Sequence, residues 1–276
     1  MILGGHLGLS APDLPLLAHL GFSVDPLDQI DALADYGFRA VQDLFLKLRP
    51  AAEQLSMAQR MAARGMRLSS FGGDPLHWNT PLWSGNDHVA LSGSVTESAR
   101  LARLFGGAGV VVVAGLDPDR PVAAQLADLT ENLRRVAEDA ARDGLVLLIE
   151  PIALQRIPDM LLDRLESAVA VVRAVAMPSV RLMFDIGHVA MMGHDVPVAL
   201  RQCADCIGLV QAADVKGRER VDIGLGTLDW AAILGALDAV GYPGVIELEH
   251  EPVDQSAAGE AAMLDRLAAI IRGQKP

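Results

Sequence analysis

Hydrophobic and polar positions alternate along this chain in blocks of two kinds. Short, nearly continuous apolar runs such as Gly109-Val-Val-Val-Val-Ala114 and Leu145-Val-Leu-Leu-Ile149 fit strands buried on both faces. Between them lie longer amphipathic stretches closed by glycine, such as 121–142 before Gly144 and 51–64 before Gly65. Asp25-Pro26 predicts a helix start, with Gly37 after its end. Strands are expected at 2–9, 38–45, 67–71, 109–114, 145–149, 180–184, 207–210 and 245–248. Helices are expected at 25–36, 51–64, 94–105, 121–142, 159–176, 196–204, 229–240 and 256–272. Eight strands alternating with helices imply a parallel sheet with helical cover. Without a linker or a composition break, they predict one (β/α)8 TIM barrel spanning residues 1–276.

The apolar runs end alike. The strand at 145–149 stops at Glu150, before Pro151. The next three stop at Asp185, Gln211 and, past an interrupting Glu247, Glu249. Their spacing is about one βαβ unit, roughly 30 residues each. In a parallel barrel these four oxygen-bearing side chains share the C-terminal face, where barrel active sites form. Three carboxylates held together repel, and a divalent cation removes that cost. An all-oxygen set suits Mg²⁺ or Mn²⁺ best, with Zn²⁺ and Co²⁺ as alternatives. Glu150, Asp185, Gln211 and Glu249 are therefore the candidate metal ligands.

Composition narrows the field. Of 276 residues, 51% are hydrophobic, enough for a large core, and the net charge of −12 disfavours binding to a phosphate backbone. The first 22 residues lack Lys and Arg and are broken by Gly and Pro, which argues against a signal peptide. No uncharged apolar run reaches the roughly 18 residues of a membrane span. The two cysteines, Cys203 and Cys206, read as ordinary thiols of a reducing compartment, and a cytoplasmic location is expected. The long segment 72–88 is a candidate lid. His188, three residues past Asp185, competes with Gln211 as a ligand, and a substrate-binding or electrophilic role is preferred for it. Arg218 can clamp a carboxylate or phosphate. The segment 222–227 lacks the third glycine of a dinucleotide fingerprint and reads as a tight turn near the site.

Glu150-Pro-Ile, Asp185-Ile-Gly-His188, Gln211-Ala-Ala-Asp-Val-Lys-Gly-Arg218, Gly224-Leu-Gly-Thr-Leu-Asp-Trp230 and Gly241-Tyr-Pro-Gly through Glu249 together resemble the xylose-isomerase-like TIM barrel superfamily. Their order is most similar to its hydroxypyruvate isomerase and sugar epimerase branch. The resemblance covers residues 145–252; the first half is similar only in element order. It implies one divalent metal on Glu150, Asp185, Gln211 and Glu249. It also implies that Glu150 and Glu249 act as acid and base, with His188 and Arg218 on substrate oxygens. Many relatives carry His at the position of Gln211, and Gln42 stands where relatives often place a glutamate. The implied activity is isomerisation or epimerisation of a small sugar, keto-sugar or hydroxy-keto acid through an enediolate. The expected assembly is a homodimer or homotetramer. A dehydratase acting on a keto-polyol is the first alternative. An endonuclease of the DNA-repair type is a second, which the acidic charge disfavours.

Overall fold

The computed structural model describes residues 2–77 and 79–273; Trp78, in the candidate lid, lies outside them. Eight parallel strands close into a barrel. In chain order they are β1 (Ile2–His6), β2 (Ala40–Asp43), β3 (Arg67–Gly72), β4 (Ala108–Val112), β5 (Leu145–Ile149), β6 (Val180–Asp185), β7 (Ile207–Ala212) and, after a short hairpin, β10 (Val245–Leu248). Neighbours in sequence are neighbours in the barrel, and β10 pairs with both β7 and β1. The (β/α)8 expectation therefore holds.

The expected helices are found at shifted bounds. α1 (Pro26–Asp35) starts at Asp25, whose side chain accepts the Leu27 N–H. α2 covers Ala51–Ala63 and α4 Val122–Arg142. α3 (His88–Phe105) begins a turn and a half earlier than its apolar pattern, because Asp87 caps it. α5 covers Leu165–Val175, not 159–176. Asp159 does not cap it, since Asp159 has φ 60 and its carbonyl accepts the Leu116 N–H in a cross-loop contact. Pro158 and the burial of Met160, Leu161 and Leu162 keep that stretch extended.

Two packing units divide the apolar side chains. The larger lies between strands and helices and includes Phe38, Leu101, Leu133, Val172 and Leu237. The smaller fills the barrel with Ala40, Val111, Leu148, Met183, Leu209 and Val245, and continues upward through Leu44, Val113, Ile152 and Met160. The 72–88 segment buries Trp83 and Ser84, and Asn132 on α4 donates to the carbonyls of Trp83 and Gly85. It packs against α4, and none of its described residues lines the cavity at the strand tips. No helix among the described residues is long and apolar enough to cross a membrane.

The C-terminal half holds two elements that the apolar pattern does not announce. α6 (Ile186–Met191) follows β6 without a loop, because Asp185 caps it by accepting the His188 N–H at 2.8 Å. After β7 the chain forms an antiparallel hairpin of β8 (Asp214–Lys216) and β9 (Glu219–Val221). Gly217, at φ 67, makes its turn. α7 (Val196–Cys203), α8 (Trp230–Ala239) and α9 (Ala257–Ile271) complete the outer layer.

Candidate active site

The C-terminal mouth of the barrel opens into a cavity of about 490 Å³ whose lining includes Glu150, His188, Gln211, Arg220 and Glu249. Asp185 does not line it but is fully buried behind Arg220, with which it pairs. Four strand tips build the site. β6 and β7 sit side by side and bring Asp185 level with Gln211. β5 flanks that pair on one side and β10 on the other, so Glu150 and Glu249 stand on opposite flanks.

Side-chain alternation adds a residue that the sequence reading treated as an interruption. Glu247 and Glu249 are two apart and share one face of the chain. Glu247 is fully buried inside the barrel. Its carboxylate accepts the Ser70 hydroxyl at 2.8 and 2.9 Å and the Gln211 amide at 3.2 Å. The same amide donates to Glu249 at 3.2 Å. With Nε2 committed to two carboxylates, Gln211 keeps a buried Oε1 that has no partner among the described residues.

Arg220 is the cation of the site. Its guanidinium pairs with Asp185 and lies 3.3 Å from a Glu249 oxygen. Arg218 takes a different place. It sits at the hairpin tip, exposed, and does not line the cavity. Opposite Arg220, Val215 fixes the hairpin register, so the second arginine of Arg218-Glu-Arg220 is the one carried inward. The hairpin is held from beneath by Asp214. Its buried carboxylate accepts the Val215, Gly224 and Leu228 amides and the Trp230 indole N–H. The glycine turn at 222–227 thus wraps Asp214 rather than the cavity.

Burial sets the protonation of the site. It pushes Glu150 well above the usual carboxylate range, and the neighbouring Asp185 and Glu249 push further. It raises Glu249 to about 7, with Arg220 pulling the other way. It raises Glu247 to about 8 against the hydrogen bonds of Ser70 and Gln211. Burial also lowers His188 to about 3, so the imidazole is neutral. Its Nδ1 faces the Ala153 N–H at 3.3 Å and can only accept there. The ring proton therefore sits on Nε2, 3.8 Å from Glu150. In this tautomer the ring donates from Nε2, and holding a metal there would require that proton to leave. Nε2 is an aimed donor, which fits the preferred substrate-binding reading of His188.

Among the described residues, one group of His, Cys, Asp and Glu is close enough to hold a metal ion: Glu150, Asp185 and His188, with ligand atoms within 4.8 Å of one another. The charge balance fits a divalent ion. Three carboxylates, Glu150, Asp185 and Glu249, face one guanidinium, which leaves two negative charges uncompensated when all three are ionised. The unpartnered Oε1 of Gln211 offers a neutral oxygen beside them. Gln42, near the end of β2, is also fully buried, on the Glu249 side of the site, but the wall there is made by Leu44.

A (β/α)8 barrel with three carboxylates and an amide on its last four strand tips defines a class of enzyme-like barrel, and sequence comparison names the family. The profile of the xylose isomerase-like TIM barrel family matches residues 30–267, and the chain belongs to that family. It is 31% identical over 242 residues to a 2-oxo-tetronate isomerase of Cupriavidus necator, covering 84% of this chain and 90% of that protein. It is 28% identical over 166 residues to the hydroxypyruvate isomerase of Escherichia coli, covering 60% of this chain and 64% of that protein. Among solved structures, one described as an AP endonuclease, family 2, from Brucella melitensis superposes with a TM-score of 0.81 at 20% identity. That match covers 96% of this chain and 99% of that one, and at this identity it speaks for the fold alone.

Proposed function

We propose that the chain is a metal-assisted isomerase or epimerase that moves a proton next to the carbonyl of a small sugar, keto-sugar or hydroxy-keto acid. The relatives named above are isomerases of such compounds. The observation that carries the reading is the pair Glu150 and Glu249. They are two buried carboxylates on opposite flanks of one cavity. A base that takes a proton from carbon and an acid that returns it must both reach the substrate held between them.

Glu150, Asp185, Gln211 and Glu249 would hold a Mn²⁺ or Mg²⁺ ion. When bound, the ion polarises a carbonyl and its neighbouring hydroxyl and offsets the negative charge that develops on them. The remaining work belongs to side chains. His188 donates from Nε2 to a substrate oxygen. Arg220 pairs with Asp185 and Glu249, competing with the ion for them, and its positive charge stands beside the developing enediolate. One glutamate removes the proton α to the carbonyl. The other protonates the adjacent carbon in an isomerisation, or the opposite face of the same carbon in an epimerisation. Each should contribute about 10²–10⁴-fold.

The test is α-proton exchange in D₂O, followed by NMR on manganese-loaded protein with hydroxypyruvate, 2-oxo-tetronate and ketoses. Wild type should exchange the α proton of at least one of them. Glu150→Gln and Glu249→Gln should each lose exchange while keeping the fold. Unchanged exchange in either variant rejects its role. A product lighter by one water would instead identify a dehydratase.

A further inference from the structure

The barrel's inner apolar cluster does not stop beneath the site. Leu44, Val113, Ile152 and Met160, each nine-tenths or more buried, carry it from the strand interior up to the mouth. Leu9 and Ile157 pack against it from the loops. All six line the cavity. They form a continuous wall on the side of β2, β4 and the start of the β5 loop. The ionisable lining groups stand on the other side, on Glu150, α6, the hairpin and the segment after β10. At the rim, Arg156 is exposed and lies 3.5 Å from Glu219, and Glu251 accepts the Ser10 hydroxyl.

We infer that the substrate has an apolar end. It is an α-hydroxycarbonyl compound whose head meets the carboxylates and whose tail is alkyl or deoxy rather than hydroxylated. This rests on the reading of the acid cluster as the carbonyl-handling site. A tail hydroxyl laid against these six side chains gives up its water and meets no donor or acceptor on them. A methylene in the same place gains from leaving water. The cavity also has room for a tail. Its 490 Å³ would hold about sixteen waters at about 30 Å³ each, whereas a four-carbon hydroxy-keto acid has only about nine heavy atoms.

Three open-chain probes test this on manganese-loaded protein. L-Erythrulose and 1-hydroxybutan-2-one share a four-carbon skeleton and the same head, and differ in the two tail hydroxyls. 1-Hydroxyhexan-2-one adds two methylenes. Titration calorimetry should find 1-hydroxybutan-2-one binding tighter than erythrulose by about tenfold or more, within the roughly hundredfold that an apolar pocket can impose on one hydroxyl. The hexanone should bind tighter again, by about fourfold per methylene. Val113→Thr, near-isosteric but polar, should shrink the deoxy preference without changing the melting temperature by more than a few degrees. Erythrulose binding as well as its deoxy partner overturns the inference, and so does a failure of both deoxy probes to bind. α-Proton exchange of the same probes in D₂O separates the two readings. A deoxy preference without exchange leaves the apolar subsite standing and removes the catalytic reading. Exchange without preference does the reverse.

Discussion

Replacing Glu247 by Gln should make the metal-free protein more stable at high pH and not at low pH. Glu247 is fully buried, and its pKa lies at about 8, against 4.5 for an ordinary glutamate. Between those values the folded chain holds a proton that the unfolded chain has lost. Unfolding stability therefore falls as pH rises through that window, by up to about 1.4 kcal/mol per pH unit. The stabilising proton is fully present on both states below pH 4.5, and the penalty is complete above about 8. From pH 5.5 to 8.5 this one group should cost wild type about 3 kcal/mol, by linkage. Glutamine never ionises and escapes the cost. It can still accept the Ser70 hydroxyl but presents one acceptor fewer to Gln211, a pH-independent loss of about 1 kcal/mol. Glu150 and Glu249 add the same sign of dependence to both proteins, and their repulsion with ionised Glu247 is part of the difference measured. Urea unfolding in the presence of a chelator at the two pH values measures it. The stability of Glu247→Gln relative to wild type should rise by about 3 kcal/mol between them. A difference that stays constant with pH would refute the reasoning and place the ionised form of Glu247 comfortably inside the barrel.

Three further outcomes follow from the site. Arg220→Met removes the cation that competes for Asp185 and Glu249, and Mn²⁺ should then bind about tenfold or more tightly, because a unit charge at contact range is worth a few kcal/mol even at an effective dielectric near 20. Calorimetric titration with Mn²⁺ checks it, and weaker binding would mean that Arg220 organises the ligands rather than competing with the ion. Asp214→Ala strands three amides and an indole N–H beneath the hairpin and should cost about 3–5 kcal/mol in denaturant unfolding. Gln211→Leu deletes the free amide oxygen and both of its donor contacts, and should weaken Mn²⁺ binding at least tenfold in the same titration while the barrel still folds.

The sequence carried the architecture because a strand buried on both faces needs a continuous apolar run, and such runs are readable without knowing their partners. It carried Glu150, Asp185, Gln211 and Glu249 because each run ends on one of them. What it hid has physical reasons. α6 starts at the residue that ends β6, so no loop composition marks it; only the Asp185-x-x-His188 spacing of a cap hints at it. The hairpin strands are three residues each, too short for a pattern. Whether Arg218 or Arg220 enters the cavity depends on the hairpin register, which Gly217 and the Val215–Arg220 pairing set. The inward placement of Glu247 was legible from its two-residue offset to Glu249, a signal that its apolar neighbours obscured. The proton on His188 Nε2 depends on a backbone amide 35 residues away, which no local pattern contains.

The most direct test of the account is metal stoichiometry by native mass spectrometry, on wild type beside Glu150→Ala and Asp185→Ala, after loading with Mn²⁺. One ion per chain in wild type, lost in both variants while their circular dichroism is unchanged, is the expected result. No bound ion in wild type after loading, or an ion retained in both variants, would contradict the strand-tip site and the proton-transfer chemistry built on it.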